Sequence, residues 1–184
     1  DHVVGQGVRG KAPLLQLRQD QLRPGKKAIL AAAAITLLAV AAAFLVWSRS
    51  GWYLTLRDTN GELYARYPIQ NGEWFSVEFI HSVNKSPLTD CYQIQDHQIY
   101  VEKTIYYGFG AGVQTEIEPG QELTYGDDGS MIVTGFHKRM DHLQYIVGTV
   151  SDHWLVVNGG EQISLRDLCG KNAVVSFHCE HFWF

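Results

Sequence analysis

The sequence predicts an all-β domain, an antiparallel β-sandwich or partly closed β-barrel, preceded by a single transmembrane helix. Three observations lead there. Residues 28–47 contain one polar side chain, Thr36, between Lys26-Lys27 and Arg49. Past Arg49 the chain turns to short stretches of alternating polarity, rich in tyrosine, valine, isoleucine and threonine and separated by turn signals. No sustained helical periodicity returns after Trp47, which favours packed or closed antiparallel sheet.

Three segments follow in order. Residues 1–27 form a basic arm, expected to be largely disordered and cytoplasmic, with Leu14, Leu15, Leu17 and Leu22 able to rest on a membrane surface beside basic neighbours. Residues 28–47 are the anchor: about twenty residues at roughly 1.5 Å each match the roughly 30 Å hydrocarbon core of a bilayer. Residues 51–184 are the extracytoplasmic β-domain, of ordinary single-domain size. Ala28/Ala32 and Ala39/Ala43 have the small-xxx-small spacing that lets membrane helices approach closely. Simple alanine-rich composition explains them equally well.

Charge gives the anchor a direction. Up to residue 50 there are seven lysines and arginines against two aspartates, a net +5; with −4 for the whole chain, −9 remains beyond it. Basic residues flanking a span stay in the cytoplasm, so the acidic domain is expected outside. A domain this acidic is a poor nucleic-acid binder. A second reading makes the apolar run a cleaved signal peptide with Ala41-Ala42-Ala43 at the cleavage site, although the run continues to Trp47. The start at Asp1 rather than methionine also fits a processed chain or a piece of a longer polypeptide.

Within the domain, Asn60-Gly61, Asn71-Gly72, Asp128-Gly129 and Asn158-Gly159-Gly160 mark tight turns. Strands are predicted over 52–57, 63–67, 74–82, 91–95, 98–106, 131–134, 144–149, 153–157 and 172–179, with a short helical turn over 165–169.

The most unusual stretch runs from Phe79 to Asp90, where His81, Ser82, Ser86 and Asp90 invite a hydrolase reading. Adjacent residues on a strand point to opposite faces, so His81 and Ser82 do not form a nucleophile–base pair there, and no G-x-S-x-G elbow exists. The structural alternative is a hydrogen bond between His81 and Asp90 that closes the turn through Pro87. Tyr107 to Glu116 contains Gly108, Gly110 and Gly112, spaced for a bulged loop or a nest of backbone amides and not for a dinucleotide fingerprint. His178-Cys179-Glu180-His181 offers metal-ligand types, but a strand sends them alternately to two faces, and hydrogen-bonded surface histidines are the expectation. Neither a cofactor nor a metal is expected. Of the three cysteines, Cys169 and Cys179 are candidates for a disulfide closing the last loop, with Cys91 buried and free.

These residues together resemble the small bacterial proteins called domain of unknown function 1850. The resemblance rests on His81-Ser82-Val83, then Pro87 and Asp90, then Gly110-Ala111-Gly112, then His153 and Leu165, and covers the outer domain. Asp90 and Gln114 depart from the family pattern, in which the acidic position is more often glutamate and proline can follow the glycine loop. The resemblance implies an accessory or interaction subunit, not an enzyme, beside a TAXI-type TRAP solute transporter in the bacterial inner (cell) membrane. The implied partners are the TRAP permease and the TAXI solute-binding protein. A different class is an envelope ligand-binding or hydrolytic domain whose site joins His81, Ser82, Asp90 and Glu116. The binding residues under either reading are His81, Ser82, Pro87, Asp90, Gly110, Gly112 and Glu116.

Overall fold

A computed structural model describes residues 25–82, 85–108 and 116–183. Most of the basic arm, Gly110 and Gly112 lie outside the described residues. The chain divides into two units at Arg49/Ser50.

The first unit is the helix α1 (Lys26–Arg49), two residues longer at each end than the apolar run alone predicts. Its 24 residues are long and apolar enough to cross a membrane, a property that a signal sequence near the amino terminus shares. The hydroxyl of Thr36, the one polar group in the run, donates to the Ala32 carbonyl at 2.9 Å. The Thr36 hydroxyl is therefore paired within the helix.

The second unit has eleven strands among the described residues: β1 (Gly51–Arg57), β2 (Leu63–Pro68), β3 (Trp74–Ile80), β4 (Pro87–Gln95), β5 (Gln98–Tyr106), β6 (Glu122–Tyr125), β7 (Met131–Arg139), β8 (Gln144–Ile146), β9 (His153–Val157), β10 (Ile163–Ser164) and β11 (Val174–Phe182). One short helix, α2 (Leu165–Cys169), begins at Ser164, whose hydroxyl accepts from the Asp167 amide. Antiparallel pairing gives a four-stranded sheet, β2-β1-β11-β8, and a seven-stranded sheet, β10-β9-β3-β4-β5-β7-β6. Of the two all-β forms the sequence allows, the chain adopts the sandwich.

Alternation builds the main core. Leu54 and Leu56 of β1 and Val175 and Phe177 of β11 face Phe75 and Val77 of β3, Tyr92 and Ile94 of β4 and Leu155 of β9. The Phe75 ring stacks 4.9 Å from Tyr92 in its own sheet and 5.9 Å from Phe177 in the other, tying the two sheets together. Farther along the large sheet a second cluster gathers Leu88, Tyr106, Met131 and Val133, with Phe79, Leu123 and Phe136 against it. Asp90 on β4 and Thr104 on β5 fall between the two clusters.

Some elements differ from expectation for physical reasons. β3 stops at Ile80 because the chain turns at His81, whose amide donates to the Ser86 carbonyl and whose carbonyl accepts from Lys85. β8 stops at Ile146, giving way to the loop from Val147 to Asp152. β7 runs on to Arg139 by absorbing an irregularity at Gly135-Phe136-His137, with Gly135 and His137 at positive φ. The expected disulfide is corrected: Cys169 and Cys179 are free thiols, as is Cys91. Cys169 neighbours Tyr64 and Tyr67, whereas Cys179 faces a groove with His97, Ile99 and Met140. Burial pushes both thiols up to about 11, so they are protonated at neutral pH.

Candidate functional site

Where β3 ends and the 147–152 loop returns to β9, a cavity of about 360 Å³ opens to the surface. Phe79, Ile80, His81 and Ser82 line it from the β3 side, and Gly148, Thr149, Val150, Ser151 and His153 from the other. The volume is that of a small-ligand pocket. Its rim carries apolar surface, with Val150 91 % exposed and Ile80 39 %.

The two walls meet because β3 and β9 pair with Phe79 opposite His153. Their rings stack, with centroids 4.9 Å apart. Tyr145 of β8 meets both edge-on, at 5.9 Å from Phe79 and 5.8 Å from His153. His153 Nδ1 accepts the Gly148 amide at 3.2 Å, which leaves the proton of a neutral imidazole on Nε2. Burial, and to a lesser degree the Arg166 guanidinium, lowers the pKa of His153 against the opposing pull of Asp152. The ring is therefore neutral at neutral pH.

The loop is held from behind. Asp152 accepts from the Ser164 hydroxyl, from the Arg166 amide at 3.0 Å and from the His153 amide at 2.7 Å. Arg166 Nη2 donates to the Gly148 carbonyl at 3.1 Å, while its Nε is buried with no hydrogen-bond partner among the described residues. Gly148 is required by close approach: a Cβ there would lie 2.1 Å from the Ser151 carbonyl oxygen.

Behind Tyr145 lies a buried polar chain that crosses the sandwich. The Tyr145 hydroxyl donates to Asp90 Oδ2 at 2.8 Å and lies 2.6 Å from the Tyr92 hydroxyl, and Thr104 donates to Asp90 Oδ1 at 2.8 Å. Burial raises the Asp90 carboxyl above its ordinary range, opposed by the hydrogen bonds from Tyr145 and Thr104. Tyr145 and Tyr92 are pushed up by burial and by Asp90, so neither phenol ionises near neutrality.

The fold thus brings His81 and Ser82 into one cavity with His153, which the sequence reading placed in the family resemblance but not among the binding residues. Asp90 is not in the cavity wall, and it does not bond to His81; the turn is closed by backbone instead, a correction to the expected pair. Pro87 opens β4 opposite Ile80, bordering the site without lining it. Glu116 is exposed and does not line the cavity. Tyr145 and the Gly148–Ser151 loop were missed. A glycine followed by Thr-Val-Ser-Asp directly ahead of His153 was the available signal, hidden because Tyr145-Ile146-Val147 reads as a strand that continues. In the carboxy-terminal tail, Glu180 pairs with Arg57 at 2.9 Å while His181 lies edge-on to Trp52. No group of three metal-ligating side chains forms among the described residues.

No curated protein and no solved structure matches the chain. Residues 75–165 match the family model described as Domain of unknown function (DUF1850). That segment runs from β3 to the start of α2 and includes every residue lining the cavity. Through it the chain belongs to the DUF1850 family.

Proposed function

We propose that this protein is a membrane-anchored, non-enzymatic accessory subunit of a TAXI-type TRAP solute transporter, acting by binding from an outer β-domain. The cavity between β3 and the 147–152 loop carries the proposal, because its chemistry suits contact better than catalysis. His153 Nδ1 is committed to the Gly148 amide, and both oxygens of Asp90 are committed to hydroxyls inside the sandwich. Asp90 and His153 Nδ1 therefore do not serve as a base–orienter pair facing Ser82. The apolar α1 and the charge asymmetry across it support a span with the domain outside the cytoplasm. The transporter and its bacterial inner membrane come from the family resemblance.

The exposed rim makes the test. Full-length chain extracted from its native membrane is expected to bring the permease or the TAXI binding protein with it. Val150→Glu, which places a charge on a 91 % exposed apolar residue, is expected to lower that recovery several-fold without shifting thermal unfolding. Recovery of the chain alone, wild type and variant alike, would count against the transporter assignment.

The second reading, an envelope ligand-binding domain, draws on the same cavity volume. Its hydrolytic form draws nothing from this geometry.

A further inference from the structure

The cavity lies at one end of the sandwich, and the opposite end has a chemistry of its own. β3 starts at Trp74 and meets the cavity only at its last residues, Phe79 and Ile80, a run of roughly 20 Å at the usual strand rise. The start of β1 lies at the Trp74 end. The Ile69 amide, just past β2, donates to the Trp52 carbonyl, and one tight turn closed by Glu73 and Gln70 then leads into Trp74. The last residues of β11 join them, because Gly51 pairs with Phe182 and Trp52 with His181.

Aromatic rings gather at this end. His97, in the turn between β4 and β5, stacks on Trp52 with centroids 3.7 Å apart, and His181 meets the same indole edge-on at 5.3 Å. Tyr53 packs edge-on against Phe182 at 5.6 Å, and the Arg66 guanidinium lies 5.3 Å and 4.9 Å from those two rings. Trp74 is exposed, and Trp183 is 83 % exposed. Tryptophan and tyrosine beside a long cationic side chain suit the headgroup level of a bilayer, which accommodates an apolar body and a polar tip together. Glu73, Asp96 and Asp141 lie at this end too and offset Arg66 and Arg139, so the surface selects no anionic lipid.

The chain delivers these rings to the bilayer. Ser50 alone separates α1 from β1, so at about 3.8 Å between consecutive Cα atoms Trp52 stays within roughly 11 Å of Arg49, where α1 ends. The headgroup region beyond the hydrocarbon is itself roughly 5–8 Å deep on each side. We propose that this end of the domain rests on a zwitterionic lipid interface through Trp74, Trp183 and the stack of Tyr53, Phe182 and Arg66. The cavity is then held roughly 20 Å farther out, open to a partner approaching from the water. The inference rests on the reading of α1 as a span. The one-residue connection favours lipid over a protein partner, because it keeps the rings within reach of the headgroups whether or not a partner is present.

The test uses the full-length chain in phosphatidylcholine nanodiscs carrying a headgroup spin label, read by the indole N–H signals of its five tryptophans. Trp47 in α1 reports insertion, and Trp154, toward the cavity end of β9, is the distant control. The signals of Trp47, Trp74 and Trp183 are expected to be lost to broadening while that of Trp154 is kept. Trp183→Glu, at an exposed position, is expected to restore the Trp74 signal without shifting thermal unfolding. A Trp74 signal still lost in that variant would overturn anchoring by the rings. Loss at Trp47 with Trp74 and Trp183 kept would overturn the lipid contact and leave the anchor standing, and loss of those two only once the permease is present would give the surface to a protein instead. A Trp47 signal that is kept would overturn span and contact together. Partner recovery is read separately, so its failure alongside the expected broadening removes the transporter assignment and not the lipid contact.

Discussion

Tyr145→Phe is expected to destabilise the domain by about 1–3 kcal/mol, the cost of stranding buried polar partners when one hydroxyl is removed. That hydroxyl serves Asp90 and Tyr92 together, and both lie in the packed interior between the two sheets. Replacing Asp90 by asparagine keeps the shape and removes the charge, so its signature is in the pH profile. The ordinary carboxyl value is 3.8, and burial raises it in the folded chain. The native state then holds this proton more tightly than the unfolded chain, so stability declines as pH rises from 3.8 through the folded value. His153 acts with the opposite sign. Its folded value is lowered from 6.5, so its contribution is complete above 6.5 and is lost as pH falls through the folded value. Thermal unfolding measured across the acid-to-neutral range is expected to lose its upper decline in Asp90→Asn and its acid decline in His153→Gln. Profiles that remain superimposable on the wild type would show that neither group is coupled to folding.

Gly148→Ala is the second large effect. An added methyl meets the Ser151 carbonyl oxygen at 2.1 Å and the His153 ring carbon Cε1 at 3.6 Å, so backbone must move. Strain of this kind costs about 1–3 kcal/mol. The consequence for the site is greater, because movement of Gly148 breaks its amide bond to His153 and its carbonyl bond to Arg166 together. Partner recovery is expected to be lost in Gly148→Ala. A Gly148→Ala protein with native melting and intact binding would show that the loop has no fixed conformation to protect.

The strands were legible where alternation and turn chemistry agreed. Gln98–Tyr106, His153–Val157 and the helical turn Leu165–Cys169 appear with the expected ends, because each is bounded by a turn or cap that composition reveals. β6 and β10 were missed, being only four and two residues long and lying at the edges of the large sheet. Neither has room to show a period. The site was half legible for a related reason. His81 and Ser82 stand out locally, but their partner His153 arrives through pairing of β3 with β9, a contact between residues more than seventy positions apart. Asp90 attracted attention as a candidate ligand. It proved to be a cross-sheet anchor because Tyr145 reaches it from the opposite sheet, and no local pattern announces that hydrogen bond. The cysteines misled for the converse reason: closeness in sequence and an outward location suggested a bridge that the packing does not make.

Hydrogen exchange on the full-length chain, purified from its native membrane with whatever accompanies it and compared with the chain stripped of partners, tests the account most directly. If the outer domain works by binding through this cavity, the amides of 149–151 are protected in the assembly and exchange freely once it is stripped. Protection confined to other surfaces, such as the exposed Tyr125 edge of β6, with 149–151 exchanging equally in both states, would contradict it.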